Sequence, residues 1–241
     1  MMQNWKEKAD LSKVTLVCID TVCHDLTIMA IDDCMSKATF GDVKVFSNKN
    51  IWHDTVIIDE FANLTEAGNF TVNEVPKYIK TDFVLFIHWD SWIIDSGMWK
   101  PEFLAYDYIG APWWYKDNFN VGNSGFCIRS KELIDFLARN KEEFPLKMPE
   151  DHVLCRQYQK QMPQFRWAST KIAQEFSFER VRPAIDSRHF GFHGIFNWPF
   201  VLPPDQLSKR MQLVRQNQYL KDSGMLIQIN HVWEKHWLAN N

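Results

Sequence analysis

Residues 82–90 read DFVLFIHWD. Five apolar residues, Phe83 to Ile87, run without interruption into His88, Trp89 and Asp90. An apolar run of this length, bounded by polar residues, is the signature of a buried strand. Upstream, KVTLVCIDT (13–21) is a second such run, and DVKVFSNK (42–49) and DTVIIDEF (54–61) are two further strand candidates. Between the first two, HDLTIMAIDDCMSKA (24–38) carries Leu26, Met29, Ala30 and Cys34 near helical spacing. VNEVPKYIK (72–80) predicts a helix broken or begun near Pro76. Strands that alternate with helices make βαβ units, so the fold class is α/β with a mostly parallel sheet flanked by helices.

In such sheets a ligand lies beyond the C-terminal ends of the strands. That rim collects Asp20 and Thr21 from the first strand, Ser47 and Asn48 from the second, and His88 and Asp90 from the third apolar run. No G-x-G-x-x-G follows the first strand and no P-loop signature occurs, which disfavours a dinucleotide fold of the usual kind and a P-loop enzyme. From residue 100 onward Gly, Asn and aromatics predict short strands and tight turns, in YDYIGAPWWY (106–115) and NVGNSGFCIRS (120–130). SKELIDFLARN (130–140) predicts a helix capped by Ser130. PEDHVLCRQYQKQ (149–161) predicts another, whose leading acids Glu150 and Asp151 suit the helix dipole. The expected organisation is one domain over 1–200, with a nucleotide-binding half to about residue 90 and an acceptor half over 91–200. A helical extension, 201–241, packs on the same domain.

The composition excludes several classes. The chain has 241 residues, 46% hydrophobic and 24% charged, which is that of a folded protein with a sizeable core. A net charge of -3 gives no basic excess for nucleic acid. No window has the length and apolarity of a membrane span, and residues 1–13 lack an apolar signal core. Five cysteines without a C-x-x-C pair read as reduced thiols of a cytoplasmic protein. The sequons at 63–65 and 69–71 carry no weight without a secretory signal. Aromatics are rich, with eleven Trp. Trp99, Trp113 and Trp114 fit an acceptor groove, because a sugar's C–H face suits an aromatic face, and fit core packing equally well.

Four groups could carry chemistry. His88 and Asp90 stand two apart, so along a strand both side chains leave on one side. Either they offer a nitrogen and an oxygen to a divalent cation completed by a phosphate substrate, or Asp90 caps a turn and His88 is a core histidine. Glu150 and Asp151 either complement a helix dipole or place a general base beside an acceptor hydroxyl. In VGNSGF (121–126), Asn123 and Ser124 offer donors and acceptors within a glycine turn. In FGFHG (190–194), His193 sits where glycines permit close approach of a ligand.

The order of these pieces is more specific than any one of them. An apolar strand ending in x-x-D, then YDYIGAPW (106–113), GNSGFCIRS (122–130), EDHVLCRQY (150–158), FSFE (176–179) and FGFHG (190–194) resembles an uncharacterised glycosyltransferase-like domain family. That family's pattern is Q-x-D, YDYIGAPW, GNGGFSLRS, an E-D pair and FGFHG, and the resemblance covers roughly 54–194. Here His88 replaces Gln, Ser124 replaces Gly and Cys127 replaces Ser. The family is similar to GT-A nucleotide-diphosphate-sugar transferases. The resemblance implies a GT-A-like fold, a nucleotide-sugar donor, a carbohydrate or glycoconjugate acceptor, and Mn²⁺ or Mg²⁺ as cofactor. It implies Asp90 and His193 as metal ligands and Asp151, with Glu150, as the base of an inverting transfer. Asp20, Thr21, Ser47, Asn48, His88, Asn123 and Ser124 then contact the donor. The alternative is a non-catalytic nucleotide-sugar or carbohydrate-binding protein of the same fold.

Overall fold

The computed structural model describes residues 7–145, 149–180 and 188–223. A central six-stranded sheet is built from β1 (Ala9–Ile19), β2 (Ala38–Ser47), β3 (Val56–Ile57), β4 (Phe83–Ile87), β6 (Tyr108–Ile109) and β9 (Phe126–Ser130). Its order is β3-β2-β1-β4-β9-β6. β1 runs parallel to both β2 and β4, and β3 parallel to β2, while β9 is antiparallel to β4 and β6. The mostly parallel α/β sheet expected from residues 82–90 is therefore present.

Side-chain alternation sorts the strands between two cores. Val14, Leu16 and Cys18 of β1, Leu85 and Ile87 of β4, and Phe126 and Ile128 of β9 face one side. Val17, Val84, Phe86 and Cys127 face the other. The first side is covered by α1 (His24–Lys37) and by the C-terminal α7 (Pro204–Gln216) and α8 (Gln218–Asp222), which bury Met211, Val214 and Leu220 there. The second is covered by α2 (Leu64–Asn73), α3 (Lys131–Arg139) and α4 (Glu150–Val153). Of the C-terminal extension, residues 224–241 lie outside the described residues.

Smaller elements finish the rim. β5 (Trp92–Ile93), β10 (Ser177–Phe178) and β11 (Gly191–Phe192) form a three-stranded sheet, and β7 (Ala111–Pro112) pairs with β8 (Val121–Gly122). α5 (Thr170–Phe176) leads straight into β10, and α6 (Trp198–Val201) follows β11. The chain runs from β1 outward through β2 to β3, then returns to the other side of β1 as β4. β1 and β4 thus flank the point where strand order reverses, the usual place for a ligand crevice in an open α/β sheet.

Several elements depart from their expected bounds. Ser130 caps α3 as predicted, accepting the N–H of Leu133 at 3.1 Å. The helix expected near Pro76 instead lies earlier, as α2, followed by a 3₁₀ turn at Val75–Tyr78. Asn63 starts α2 by accepting the N–H of Glu66, whose own carboxylate receives the N–H of Ala62. The third strand shrinks to Val56–Ile57. The helix from Glu150 widens into a π turn at Leu154–Tyr158 and tightens at Gln159–Gln161. All five cysteines are buried and free.

Candidate functional site

β4 ends at Ile87, so the pleat does not carry as far as Asp90. A turn brings His88 and Asp90 together instead. The Ser91 hydroxyl accepts the N–H of His88 at 2.9 Å and is bonded to the carbonyl of Gly125, which also receives the His88 N–H at 3.0 Å. The turn after β4 is thereby tied to the turn before β9.

His193 arrives from the end of β11. Its Nε2 lies 3.3 Å from Asp90 Oδ1, while Asp90 Oδ2 accepts the N–H of Ile195 at 3.0 Å. The rings of His88 and His193 meet edge to face, 5.3 Å apart. Gly125 makes room for this arrangement, since a Cβ there would stand 2.2 Å from His193 ring atoms. His88, Asp90 and His193 each offer a ligand atom, all within 4.8 Å of one another.

The charges in this cluster are strongly coupled. Burial works against the charge of His193, but the carboxylates of Asp90 and Glu179 outweigh it and lift the imidazole to about 10. Burial also works against Asp90, and the facing imidazole wins, holding the carboxyl below its ordinary value. Burial and the charge of His193 together push His88 down to about 4. One histidine is cationic and its neighbour neutral.

The residues fit a hard or borderline divalent cation. Two adjacent ligands of an octahedral ion with bonds of ~2.1 Å stand ~3 Å apart, close to the 3.3 Å between Asp90 Oδ1 and His193 Nε2. An oxygen with one or two imidazole nitrogens suits Mn²⁺ better than Mg²⁺. A cation at Nε2 displaces the proton that the ring holds in its absence.

Asn123 extends the network. Its backbone is left-handed, with φ 77°, and its Oδ1 accepts the N–H groups of Gly125 and Phe126 at 2.7 and 3.1 Å. That fixes its Nδ2 toward His193 Nδ1, 3.0 Å away. The next residue, Ser124, donates its N–H to Asp151 Oδ2 at 3.2 Å. His88, Asp90, His193, Asn123, Ser124 and Asp151 therefore form one connected group.

The other expected residues lie elsewhere. Glu150 turns away from this group and pairs with Arg129 in the interior. Asp20 is buried and accepts the N–H of Cys23 with both oxygens, at 2.9 and 3.0 Å, which fastens the start of α1. Thr21 and Ser47 are buried beside it on the rim, and Asn48 bonds His24 at 2.7 Å. Trp99, Trp113 and Trp114 form no common groove. Trp99 packs on Phe103 and Phe190, Trp113 is buried against the opposite core, and Trp114 is 56% exposed. Sequence reasoning passed over Glu179, 3.4 Å from His193 Nδ1, although its motif FSFE stands in the ordered pattern.

Comparison with known proteins supports the fold. A glycosyltransferase involved in the glycosylation of the major capsid of PBCV-1 matches with a TM-score of 0.52 at 9% identity, over 83% of this chain and 98% of that one. The mannosyltransferase PcManGT from Pyrobaculum calidifontis, solved in complex with GDP-Man and Mn²⁺, matches at 0.42 and 10% identity, over 70% and 58%. The apo-form glycosyltransferase GlyE of Streptococcus pneumoniae TIGR4 matches at 0.40 and 10% identity, over 64% and 44%. The chain thus spans little more than half the length of the mannosyltransferase. The first of these shares its fold across nearly its whole length, and that fold is the GT-A type. No curated protein matches the chain. The family described as "protein of unknown function (DUF5672)" matches residues 61–193. That span is more than half of the chain and holds the whole connected group, from His88 to His193, and the protein belongs to this family.

Proposed function

We propose that the protein is a metal-dependent glycosyltransferase. It moves a sugar from a nucleotide-diphosphate-sugar donor to an acceptor hydroxyl. The observation that carries this reading is the convergence of Asp90 and His193, with His88 beside them, at the reversal point of a GT-A-type sheet.

Asp90 and His193 would hold Mn²⁺ or Mg²⁺, with neutral His88 offering a third nitrogen or a contact to the donor's phosphates. When bound, the cation neutralises charge on the departing diphosphate as a Lewis acid. Asp20, Thr21, Ser47 and Asn48 line the side of the rim where the nucleoside would lie. Asp20 already accepts the N–H groups of Val22 and Cys23, and a ribose hydroxyl would share its carboxylate with them. Asn123 and Ser124 form the floor beneath the donor sugar.

Asp151 is the better base of the acidic pair. Glu150 is paired with a guanidinium, whereas among the described residues Asp151 accepts only the N–H groups of Ser124 and His152. Its carboxylate would take the proton of the acceptor hydroxyl as the new glycosidic bond forms. If Asp151 lies opposite the leaving group, the anomeric centre inverts, by the geometric logic of two-carboxylate glycosidases.

The test is release of nucleoside diphosphate from a panel of nucleotide sugars, with and without Mn²⁺, for wild type and Asp90→Asn. Asparagine keeps an acceptor for Ile195, so the fold survives while the charge is lost. Metal-dependent release in the wild type alone is expected. No metal-dependent binding of any nucleotide sugar overturns the proposal. Binding without release, across a broad acceptor panel, favours a non-catalytic binding protein.

A further inference from the structure

The register of the small sheet brings Glu179 to His193. Ser177 pairs with Gly191 and Phe178 with Phe192, in parallel. The next residue on each strand is therefore Glu179 on one and His193 on the other. His193 donates its backbone N–H to the carbonyl of Phe178 at 3.0 Å. Just beyond, the buried Asn197 donates its amide to the carbonyls of both Glu179 and His193, at 2.9 and 2.8 Å. The two backbones are locked together, and only 8% of Glu179 is exposed.

Its side chain has few uses other than the imidazole. Glu179 Oε1 lies 3.4 Å from His193 Nδ1. The guanidinium of Arg180 is at 3.8 Å, beyond hydrogen-bond reach. The amide of Asn123 also bonds Glu179. Because Asn123 Oδ1 is held by two backbone N–H groups, its Nδ2 is necessarily the donor end. Two N–H donors, one from Asn123 and one from His193, thus converge on a single buried carboxylate.

We propose that Glu179 is a positioning residue: its carboxylate keeps the ring proton of His193 on Nδ1, so that Nε2 presents its lone pair to the cation beside Asp90. This rests on the metal-dependent reading above. The two carboxylates divide the ring between them. Asp90 faces Nε2, where the cation would be held, while Glu179 faces Nδ1 on the other side of the ring. A carboxylate behind a metal-bound histidine fixes its tautomer and orientation and raises its basicity, and loss of such a partner typically weakens metal binding 10–100-fold. Without Glu179, Asn123 Nδ2 would donate to Nδ1 and drive the proton to Nε2, the atom the metal needs.

The test compares wild type, Glu179→Gln and Glu179→Leu. Mn²⁺ affinity is read by the paramagnetic resonance of free Mn²⁺. The tautomer of His193 is read from ring ¹⁵N shifts with Zn²⁺ as a diamagnetic probe. A loss of about 10-fold is expected for Gln, which keeps the shape and one acceptor oxygen, and nearer 100-fold for Leu. The wild-type ring should carry its proton on Nδ1, and that signature should weaken in both variants. If Leu prevents folding, Gln alone decides. A wild type that binds Mn²⁺ with Glu179→Gln within twofold of it, or an unchanged Nδ1–H signature in that variant, overturns the role of Glu179 and leaves the metal site standing. A wild type that binds no Mn²⁺ overturns the metal site, and this inference with it.

Discussion

Glu150 and Arg129 meet in the interior, with side chains 5% and 1% exposed, while the adjacent Asp151 points to the rim and accepts the N–H of Ser124. Arg129 also lies against the rings of Phe86 and Tyr108, and among the described residues its Nε and Nη2 have no hydrogen-bond partner. Its charge therefore depends on one carboxylate. Removing one member of a buried ion pair costs about 3–5 kcal/mol, because the other charge is left unpaired. Glu150→Gln should destabilise the protein by an amount of that order, seen as a lower urea midpoint. Asp151→Asn should change stability by less than about 1 kcal/mol and cut transfer about 10²–10⁴-fold, the usual contribution of a general base. The reverse pattern would move the base to Glu150.

Gly125 sets the position of His193 by what it lacks. A methyl group there would need the space of His193 Nε2 and Cδ2. The ring would have to shift, and with it the Nε2 that faces Asp90. Gly125→Ala should therefore cost about 1–3 kcal/mol, the range for overpacking. It should also remove most of the rise in melting temperature that Mn²⁺ gives the wild type. A wild-type Mn²⁺ response in this variant would mean that His193 is not a ligand.

Much of the fold is legible in the sequence because it is set by local patterns. Phe83–Ile87 is an uninterrupted apolar run, and Ser130 stands one residue before α3 and caps it. α2 was missed because Asn63-Leu64-Thr65 reads as a sequon, whereas Asn63 and Glu66 act together as a helix start. The site is less legible. His88 and Asp90 can be picked out, but the pleat is the wrong reason, since Ser91 and Gly125 make the turn that gathers them. Glu150 cannot be separated from Asp151 by sequence, because the partner that distinguishes them, Arg129, comes from another strand. Glu179 stands in the ordered pattern as the end of FSFE, but its partner cannot be read there, because that depends on the register between β10 and β11.

His88 gives the metal-free protein a weakness in acid. Its folded pKa is about 4, pushed down by burial and by His193, against about 6.5 in an unfolded chain. Below pH 6.5 the unfolded state takes up a proton that the folded state refuses, so stability falls as pH drops toward 4. His88→Gln removes this loss. The stability lost between pH 7 and pH 4.5 should be about 2 kcal/mol larger for wild type than for the variant, by chemical denaturation without metal. Equal losses would mean that His88 accepts a proton in the folded protein.

Arg210 and Asp33 join α7 to α1. Arg210 is 2% exposed, its guanidinium 4.2 Å over the ring of Trp92 and near that of Trp198, and Asp33 is its ionic partner. Asp33 itself is about one-quarter exposed, so water can take over its solvation if the arginine leaves, but the arginine has no such recourse. The two deletions should therefore be unequal. Asp33→Asn strands a buried cation and should cost about 2 kcal/mol, below the 3–5 of a fully enclosed pair. Arg210→Met keeps an unbranched side chain between the two tryptophans and should cost less than about 1 kcal/mol. Since the cost of Asp33→Asn comes from the stranded charge, it should vanish once that charge is gone, and the double variant should match Arg210→Met in urea unfolding. Additive costs would mean that Asp33 supports α1 by some route other than this arginine.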